Sequence, residues 1–389
     1  MLHQAHIRAI TLRCIRTGNH TTWEDGQRCG QRYKGAGSRQ GNEIKVFVTG
    51  VTGQLGHDVV IEAVQRSHEV IGSGGRKGED MKVFVTGVGG QLGHDVVNEL
   101  NRRGLESIGS DIQAVYSGVK DGSAVVSVPY IQLDITDREA VAKTIEEIHP
   151  NVIIHCAAWT AVDTAEDEEN RAKVDAINHL GTQYIAEAAK AVDAKMVYIS
   201  TDYVFDGQGE RPWEPDDKCY APLNVYGQSK LAGELAVANT LDKYFIVRIA
   251  WVFGLNGKNF IKTMINVGKM HDTVRVVNDQ IGTPTYTLDL ARLLVDMVET
   301  EKYGYYHATN SEGEEGGYIS WYDFCCEFYK QYGLKTKVIP VTTAEYGLSK
   351  AARPYNSRLD KSKLVEAGFD PLPNWRDAVK RYLNVLKDE

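Results

Sequence analysis

The sequence lacks an excess of basic residues, long apolar runs and paired cysteines. Lysine and arginine total 44 residues against 52 acidic ones, a net charge of -8 that argues against nucleic acid as the main partner. No run approaches the ~18 apolar residues of a membrane-spanning helix, so we expect no membrane partner. The six cysteines form no C-x-x-C pair and no metal-ligand spacing, which favours a reducing compartment, the cytoplasm. With 389 residues, the chain is long enough for two domains.

The start of the chain differs from the rest. Residues 1–43 carry several arginines, few acids and no sustained apolar period. They contain neither the apolar core of a secretory signal nor the serine content of a transit peptide. We predict a disordered extension there, with an organelle presequence as the alternative.

Residues 44–80 are a partial duplicate of a β-strand, loop and helix. Residues 45–60 return at 82–97 with Thr52 replaced by Gly89. Only one copy can supply the central strand of a doubly wound sheet. We expect the second copy to do so, because its connections are short and its continuation is complete. Met81 would then be the natural start of the working protein.

The second copy predicts a nucleotide-binding loop. A β-branched run at residues 81–86 is typical of a buried parallel strand. Gly87, Gly90 and Gly93 follow in a G-x-x-G-x-x-G spacing, and a helix is predicted next. Glycines there let a diphosphate approach the helix N-terminus. Asp111 stands about 20 residues further on, where a carboxylate binds ribose hydroxyls and favours NAD over NADP. The alternatives are a tight turn that binds nothing and an Asp111 that only caps a turn.

Further strands are predicted near residues 128–133, 151–159 and 196–200, with a helix at 138–148 and a long helix that ends near residue 192. The last of these strands delivers Thr201 and Asp202 at its carboxyl end, the edge where open α/β sheets bind ligands. The prediction is an α/β protein with a Rossmann-type doubly wound parallel sheet in residues 81–250. Residues 251–389 would form a smaller C-terminal α/β substrate lobe, partly interleaved with the Rossmann domain.

Tyr226 and Lys230 are four residues apart, so a helix places both side chains on one face. An ammonium beside a phenol lowers the pKa of the phenol and suits it for proton transfer to a carbonyl oxygen. The alternative is an ordinary surface pair on an amphipathic helix. The loop glycines, Thr201 and this pair are expected to converge on one crevice.

Six stretches together resemble the extended short-chain dehydrogenase/reductase superfamily and, within it, the family of dTDP-4-dehydrorhamnose reductases. They are residues 157–163, 200–205, 222–234, 248–253, 278–284 and 353–358. The resemblance implies NAD(P)H-dependent reduction of the C4 keto group of dTDP-4-dehydro-L-rhamnose, the last step of dTDP-rhamnose biosynthesis for cell-surface polysaccharide. It also implies NADPH or NADH as the cofactor, a dTDP-4-keto-6-deoxy sugar as the substrate, and a monomer or homodimer.

The resemblance also implies roles for individual residues. Tyr226 would protonate the C4 oxygen, Lys230 would lower the tyrosine pKa and bind the nicotinamide ribose, and Thr201 would bind the reacting oxygen. Substrate contacts would come from Thr201, Asp202 and Trp251. Cofactor contacts would come from Gly90, Gln91, Leu92, Asp111, Asp134, Ala157, Ala158 and Trp159, beside the loop residues Gly87 and Gly93. Arg353 and Arg358 are candidates for the substrate diphosphate, because guanidinium suits bidentate contact with phosphate oxygens; loop or inter-lobe salt bridges are the alternative.

Two departures and two rival functions accompany this interpretation. One departure is the duplicate at residues 44–80, which has no counterpart in the family. Some relatives dimerise around Mg²⁺ through carboxylates, but Leu288 stands where one is needed, so we predict no metal. An epimerase or dehydratase is the enzymatic rival, although a dehydratase needs a glutamate after the Thr-Asp pair and Tyr203 stands there. The other rival is a non-catalytic module resembling the regulatory subunit of methionine adenosyltransferase. The presence of Tyr226 and Lys230 argues against it.

Overall fold

The computed structural model describes residues 81–116, 118–119, 127–312 and 317–388, and before residue 81 it describes only six strands. The chain divides into two compact units, residues 1–79 and 80–389. Within the described residues, no helix combines the length and the apolar character that a membrane crossing requires.

The first unit contains two three-stranded sheets. Its strands are Leu12–Thr17, His20–Asp25, Arg32–Gly35, Gly37–Gln40, Glu43–Thr49 and Val70–Ser73. The first three strands form one sheet and the last three form the other. Strands between residues 12 and 40 contrast with the disorder predicted for residues 1–43; the remainder of that stretch lies outside the described residues. The strand of the first sequence copy, Glu43–Thr49, belongs to a different sheet from its duplicate.

A seven-stranded parallel sheet forms the centre of the second unit. Its strands are β1 (Lys82–Thr86), β2 (Glu106–Asp111), β3 (Tyr130–Gln132), β4 (Val152–His155), β5 (Lys195–Thr201), β6 (Tyr244–Ile249) and β7 (Gly304–His307). Their order is β7-β6-β5-β4-β1-β2-β3, and every pair is parallel. Apart from β7, this is the order of a Rossmann fold, which confirms the predicted α/β class.

Helices cover both faces of this sheet. They are α1 (Gln91–Arg102), α2 (Arg138–Ile148), α3 (Thr182–Ala191), α4 (Val225–Thr240) and α5 (Thr287–Val298). Side chains alternate along β1, so Val83 and Val85 pack with α1 and α5 while Phe84 packs with α2 and α3. All three are fully buried. The apolar residues of β1 therefore contribute to two hydrophobic cores, one on each face of the sheet.

A π-helical segment lies directly before α3. The helices Val162–Ala165 and Glu168–Asp175 are followed by a π-helical turn, Ala176–Gly181. The sequence predicts one long helix that ends near residue 192, and the helical backbone does continue from Glu168 to Ala191. Within it lies the π turn, where the Asn178 side chain binds the Trp159 backbone and Ser229. π turns of this kind are frequent at functional sites.

The remaining elements form a smaller lobe. Its helices are Phe260–Met270, Trp321–Tyr332, Thr343–Tyr346, Ser362–Glu366 and Trp375–Asp388. Its strands are Val252–Phe253, Thr273–Val277, Ile281–Gly282, Thr285–Tyr286, Ile319–Ser320, Lys337–Val341 and Asn356–Ser357. An aromatic core that includes Phe253, Phe324 and Trp375 holds it together. Two elements that follow residue 251, α5 and β7, belong to the large sheet and its helices rather than to the smaller lobe. The two domains are therefore interleaved, and the boundary at residues 250/251 stays a prediction.

Candidate active site

A cavity of about 700 Å³ opens at the carboxyl ends of β1, β4, β5 and β6. Both the glycine-rich loop and the start of α4 line it, together with residues from the smaller lobe. Twelve predicted site residues share this cavity: Gly87, Gly90, Gln91, Leu92, Gly93, Ala158, Thr201, Asp202, Tyr226, Lys230, Trp251 and Arg353. The predicted convergence on one crevice is therefore observed.

The glycine-rich loop has the geometry of a diphosphate cradle. Gly87 has a φ of +72°, and a Cβ there would lie 2.5 Å from the Ala157 backbone nitrogen. A Cβ at Gly93 would lie 2.3 Å from the Gly87 carbonyl oxygen. Gly90 precedes α1 and no side chain caps the helix, whose first residues line the cavity. These features fit a nicotinamide dinucleotide, whose diphosphate is bound by backbone amides at a helix N-terminus.

Asp111 and Asp134 do not line the cavity. The Asp111 carboxylate accepts the backbone amides of Gly89 and Ile112, both at 2.8 Å, and so braces the loop from the end of β2. Asp134 is exposed and accepts the amide and hydroxyl of Thr136 at 2.9 and 2.7 Å. As the residues stand, both carboxylates serve local turns, and their contacts with a cofactor stay predictions.

The residues after β4 pack closely on the glycine-rich loop. The Ala157 amide donates to the Thr86 hydroxyl at 3.3 Å, and Ala158 lines the cavity. The Trp159 amide donates to Asn178 at 2.8 Å, and its indole nitrogen donates to the Ala161 carbonyl at 3.0 Å. Trp159 and Ala157 therefore support the cavity wall without forming part of its lining.

The catalytic candidates stand on two adjoining elements. Thr201 ends β5, and Asn224 caps α4 by accepting the Gly227 amide at 2.8 Å, which fixes Tyr226 and Lys230 in the first turns of the helix. The Tyr226 ring meets the ring of Tyr203 edge-on, with centroids 5.6 Å apart. Helix geometry thus brings the pair to the cavity as its spacing predicts.

The predicted lowering of the Tyr226 pKa is wrong for the residues as they stand. Burial raises the pKa of the Tyr226 phenol, a hydrogen bond with Thr201 lowers it, and the Asp202 charge raises it. The Lys230 ammonium does not offset the burial because it lies against the face of Tyr198, 4.1 Å from the ring centroid. At neutral pH the phenol therefore keeps its proton.

Lys230 is itself almost completely buried, at 3% exposure. Burial lowers the pKa of Lys230 to about 7, and the Glu234 carboxylate and the Cys156 thiol oppose this shift. Glu234 lies one helical turn beyond Lys230 and forms a fully buried ion pair with Arg248 at 2.8 Å. This pair joins α4 to β6 and supports the helix that carries the catalytic candidates.

Asp202 and Trp251, the predicted substrate contacts, both line the cavity. Burial raises the pKa of Asp202 to about 6, against hydrogen bonds from Ser357 and Thr201. Trp251 has a φ of +52°, a strained backbone of the kind that collects at functional sites. Its indole stacks on Trp321 with centroids 4.0 Å apart, which makes a flat apolar wall.

The two candidate arginines differ in position. Arg353 lines the cavity and pairs with Asp163 at 2.7 Å. Arg358 does not line it, because its guanidinium donates to Asn356 at 3.1 Å within its own loop. Arg353 therefore forms the salt bridge that was the alternative to a diphosphate contact, and it also faces the cavity. For Arg358 the diphosphate role stays a prediction.

Sequence reasoning missed Asp163 and Tyr203 of the large unit, and also eight lining residues from the smaller lobe or its loops: Lys258, Phe260, Arg275, Gln280, Trp321, Tyr346, Leu348 and Ser349. They lie far apart in the sequence and carry no shared motif. The turn cluster at residues 278–284, which contains Gln280, was the one available signal. In the part of the chain that the structure describes, no group of three His, Cys, Asp or Glu side chains is placed to hold a metal.

Comparison with known proteins identifies the relatives of this chain. The family model described as "RmlD substrate binding domain" matches residues 81–387. A dTDP-4-dehydrorhamnose reductase from Streptomyces griseus is 41% identical over 264 residues, which cover 66% of this chain and 84% of that protein.

Solved structures give the same result. A dTDP-4-dehydrorhamnose reductase from Clostridium acetobutylicum is 40% identical with a TM-score of 0.70, covering 79% of this chain and all of that one (100%). The Bacillus anthracis dTDP-4-dehydrorhamnose reductase, in complex with NADP, is 38% identical with a TM-score of 0.69, covering 78% of this chain and 99% of that one.

Proposed function

The chain belongs to the dTDP-4-dehydrorhamnose reductase family that the RmlD substrate-binding-domain model describes, and we propose that it reduces the C4 keto group of dTDP-4-dehydro-L-rhamnose to give dTDP-L-rhamnose. The observation that carries the proposal is the meeting of Tyr226, Lys230 and Thr201 with the glycine-rich loop in one cavity. NADPH or NADH is the cofactor, held by Gly87, Gly90 and Gly93 and the amides that begin α1.

The residues of the cavity supply the proton and the placement. When bound, the reduced nicotinamide supplies the hydride that reduces the carbonyl carbon. Tyr226 donates its phenolic proton to the C4 oxygen, and the burial that raises its pKa keeps that proton in place at neutral pH. The Thr201 hydroxyl binds the same oxygen, and Lys230 binds the nicotinamide ribose.

The substrate occupies the side of the cavity formed by the smaller lobe. Asp202 binds hydroxyls of the deoxysugar, and the stacked pair of Trp251 and Trp321 offers it an apolar wall. Arg353 is the cation for the diphosphate. The negative net charge supports a protein without a nucleic-acid partner. Cytoplasmic localisation and a monomer or homodimer complete the proposal.

Oxidation of NADPH and NADH, followed at their absorbance band with dTDP-4-dehydro-L-rhamnose, tests the function. Turnover with this substrate and none with dTDP-glucose, which has no keto group, is the expected result. Cofactor binding without any turnover would contradict the proposal and favour a non-catalytic module.

A further inference from the structure

Residues 347–353, here called the strap, connect the smaller lobe to the helices beside β4. The strap follows the helix Thr343–Tyr346, which is fixed to the smaller lobe. Asp279 accepts the amide and hydroxyl of Thr343 at 2.9 and 2.6 Å, and Arg275 donates to the Glu345 carbonyl at 2.7 Å. The strap therefore starts from a firm anchor.

One carboxylate holds the far end of the strap. The Asp163 Oδ1 atom accepts the backbone amides of Lys350 and Ala351, both at 3.1 Å. The Asp163 Oδ2 atom accepts from Nη2 of Arg353 at 2.7 Å. Asn224, the cap of α4, adds a bond to the Ala352 carbonyl at 2.8 Å. Three donors of the strap thus converge on Asp163.

Between its anchors the strap borders the cavity. Leu348, Ser349 and Arg353 line it, yet the Leu348 side chain is 79% exposed. Gly347 has a φ of +60°, a backbone conformation that glycine adopts without strain. A segment with polar anchors and few buried apolar contacts opens at low free-energy cost, which is the property of active-site lids.

Arg353 has one terminal nitrogen still to be satisfied. Its Nη1 atom is buried and has no hydrogen-bond partner among the described residues, while Nη2 is held by Asp163. A buried cationic donor without an acceptor is costly, and a phosphate oxygen is an acceptor well matched to guanidinium. The same guanidinium can therefore join Asp163 on one side and a ligand on the other.

We infer that Asp163 is a positioning residue that latches the strap across the cavity and aims Arg353 at the diphosphate of the sugar nucleotide. The inference rests on the proposed function for the identity of that ligand. Asp163 acts through Arg353 and the strap, so its loss weakens binding of the sugar nucleotide while the proton transfer and the cofactor loop stay intact.

The first test compares Asp163→Asn with Asp167→Asn. Asp167 is the matched control because it binds the strap only through the exposed ammonium of Lys350, whereas Asp163 binds two strap amides and Arg353. For Asp163→Asn we expect the KM for dTDP-4-dehydro-L-rhamnose to rise by about tenfold or more, the size expected for a broken charge-assisted contact. We expect kcat and the Kd for NADPH to stay near the wild-type values, and Asp163→Glu to recover part of the loss. Equal effects of the two Asn variants, or an unchanged KM in Asp163→Asn, would overturn the inference.

The second test needs no turnover. Trypsin can cut the strap after Lys350 but not after Arg353, which Pro354 follows. We expect dTDP to slow this cleavage in the wild-type protein, and Asp163→Asn to be cut faster and to lose the protection. Cleavage that is insensitive to both dTDP and the variant would overturn the latch. If the wild-type protein protects its strap with dTDP but does not reduce the keto sugar, the proposed function fails and the latch stands.

Discussion

The phenolic oxygen of Tyr226 is the atom on which proton transfer depends. Replacement by phenylalanine keeps the ring contact with Tyr203 and removes only the acid. For Tyr226→Phe we expect kcat to fall by roughly 10²–10⁴-fold, the usual contribution of a general acid, with little change in the Kd for NADPH. Steady-state kinetics and a fluorescence titration of the cofactor measure the two quantities. Tyr203→Phe is the control, and an equal loss of kcat there would remove the special role of Tyr226.

Lys230 makes stability depend on pH. Its pKa is lowered by burial from 10.5 to about 7 in the folded protein, so between these values the unfolded chain binds more protons than the folded one. The free energy of unfolding therefore gains from this residue as the pH rises through that window. Chemical denaturation without added cofactor should show Lys230→Met to be stabilising at pH 6 and progressively less so toward pH 10. The exposed Lys190→Met variant should show no such trend; a trend of the same size there would contradict the assignment.

For single residues, the sequence predicts which side chains lie side by side on an element better than it predicts how deeply they are buried. Tyr226 and Lys230 meet in the cavity because a helix fixes residues four apart, whatever surrounds it. The direction of the Tyr226 pKa could not be predicted, because burial depends on how both lobes enclose the phenol. Trp321, Arg275 and Lys258 went unnoticed for a related reason: they reach the cavity from separate elements, and no local pattern joins them.

The glycine-rich loop between β1 and α1 packs tightly against the start of α1 at Gly93. A methyl group at position 93 would sit 2.3 Å from the Gly87 carbonyl oxygen, so Gly93→Ala must displace the helix or the loop. We expect a loss of about 1–3 kcal/mol in the free energy of unfolding and weaker NADPH binding. Denaturant unfolding and cofactor titration measure these effects. Gly317→Ala has open space around its Cβ and should change neither quantity.

The buried pair of Glu234 and Arg248 ties α4 to the sheet. Both side chains have 0% exposure, and two hydrogen bonds of 2.8 Å join them. Glu234→Gln leaves the guanidinium buried without a counter-charge, which should cost about 3–5 kcal/mol in the free energy of unfolding. Asp193→Asn removes the same charge from the solvent-exposed pair with Lys243 and should leave stability nearly unchanged. Similar losses of unfolding free energy in Glu234→Gln and Asp193→Asn would show that burial of the ion pair does not determine its contribution to stability.

The helices also show which features local sequence determines and which depend on tertiary contacts. The helix predicted at residues 138–148 is observed as α2, with Asp137 capping it by accepting the Ala140 amide at 3.0 Å. The long helix predicted toward residue 192 is observed, with a π turn at Ala176–Gly181 inside it. A cap is encoded by its own residues, whereas the π turn contains Asn178, which binds segments that are distant in the sequence.

The molecule as a whole contains two copies of one strand sequence and one large sheet. Lys82–Thr86 of the second copy holds the position between β4 and β2, with its own loop lining the cavity. Every strand of that sheet and every residue that lines the cavity comes after residue 81. The second unit therefore carries the complete reductase site that the described residues show.

Removal of residues 1–80 should accordingly preserve the enzyme and simplify its folding. A chain that starts at Met81 keeps the whole of the seven-stranded sheet, so we expect the kcat and KM of the full chain. Because residues 45–49 and 82–86 are identical, we expect the first copy to compete for the central strand position during folding. Refolding from urea, followed by recovery of NADPH oxidation, should be faster and more complete in the shortened chain. Loss of activity on shortening would show that the first unit contributes to the site, and equal refolding yields would show that the two copies do not compete.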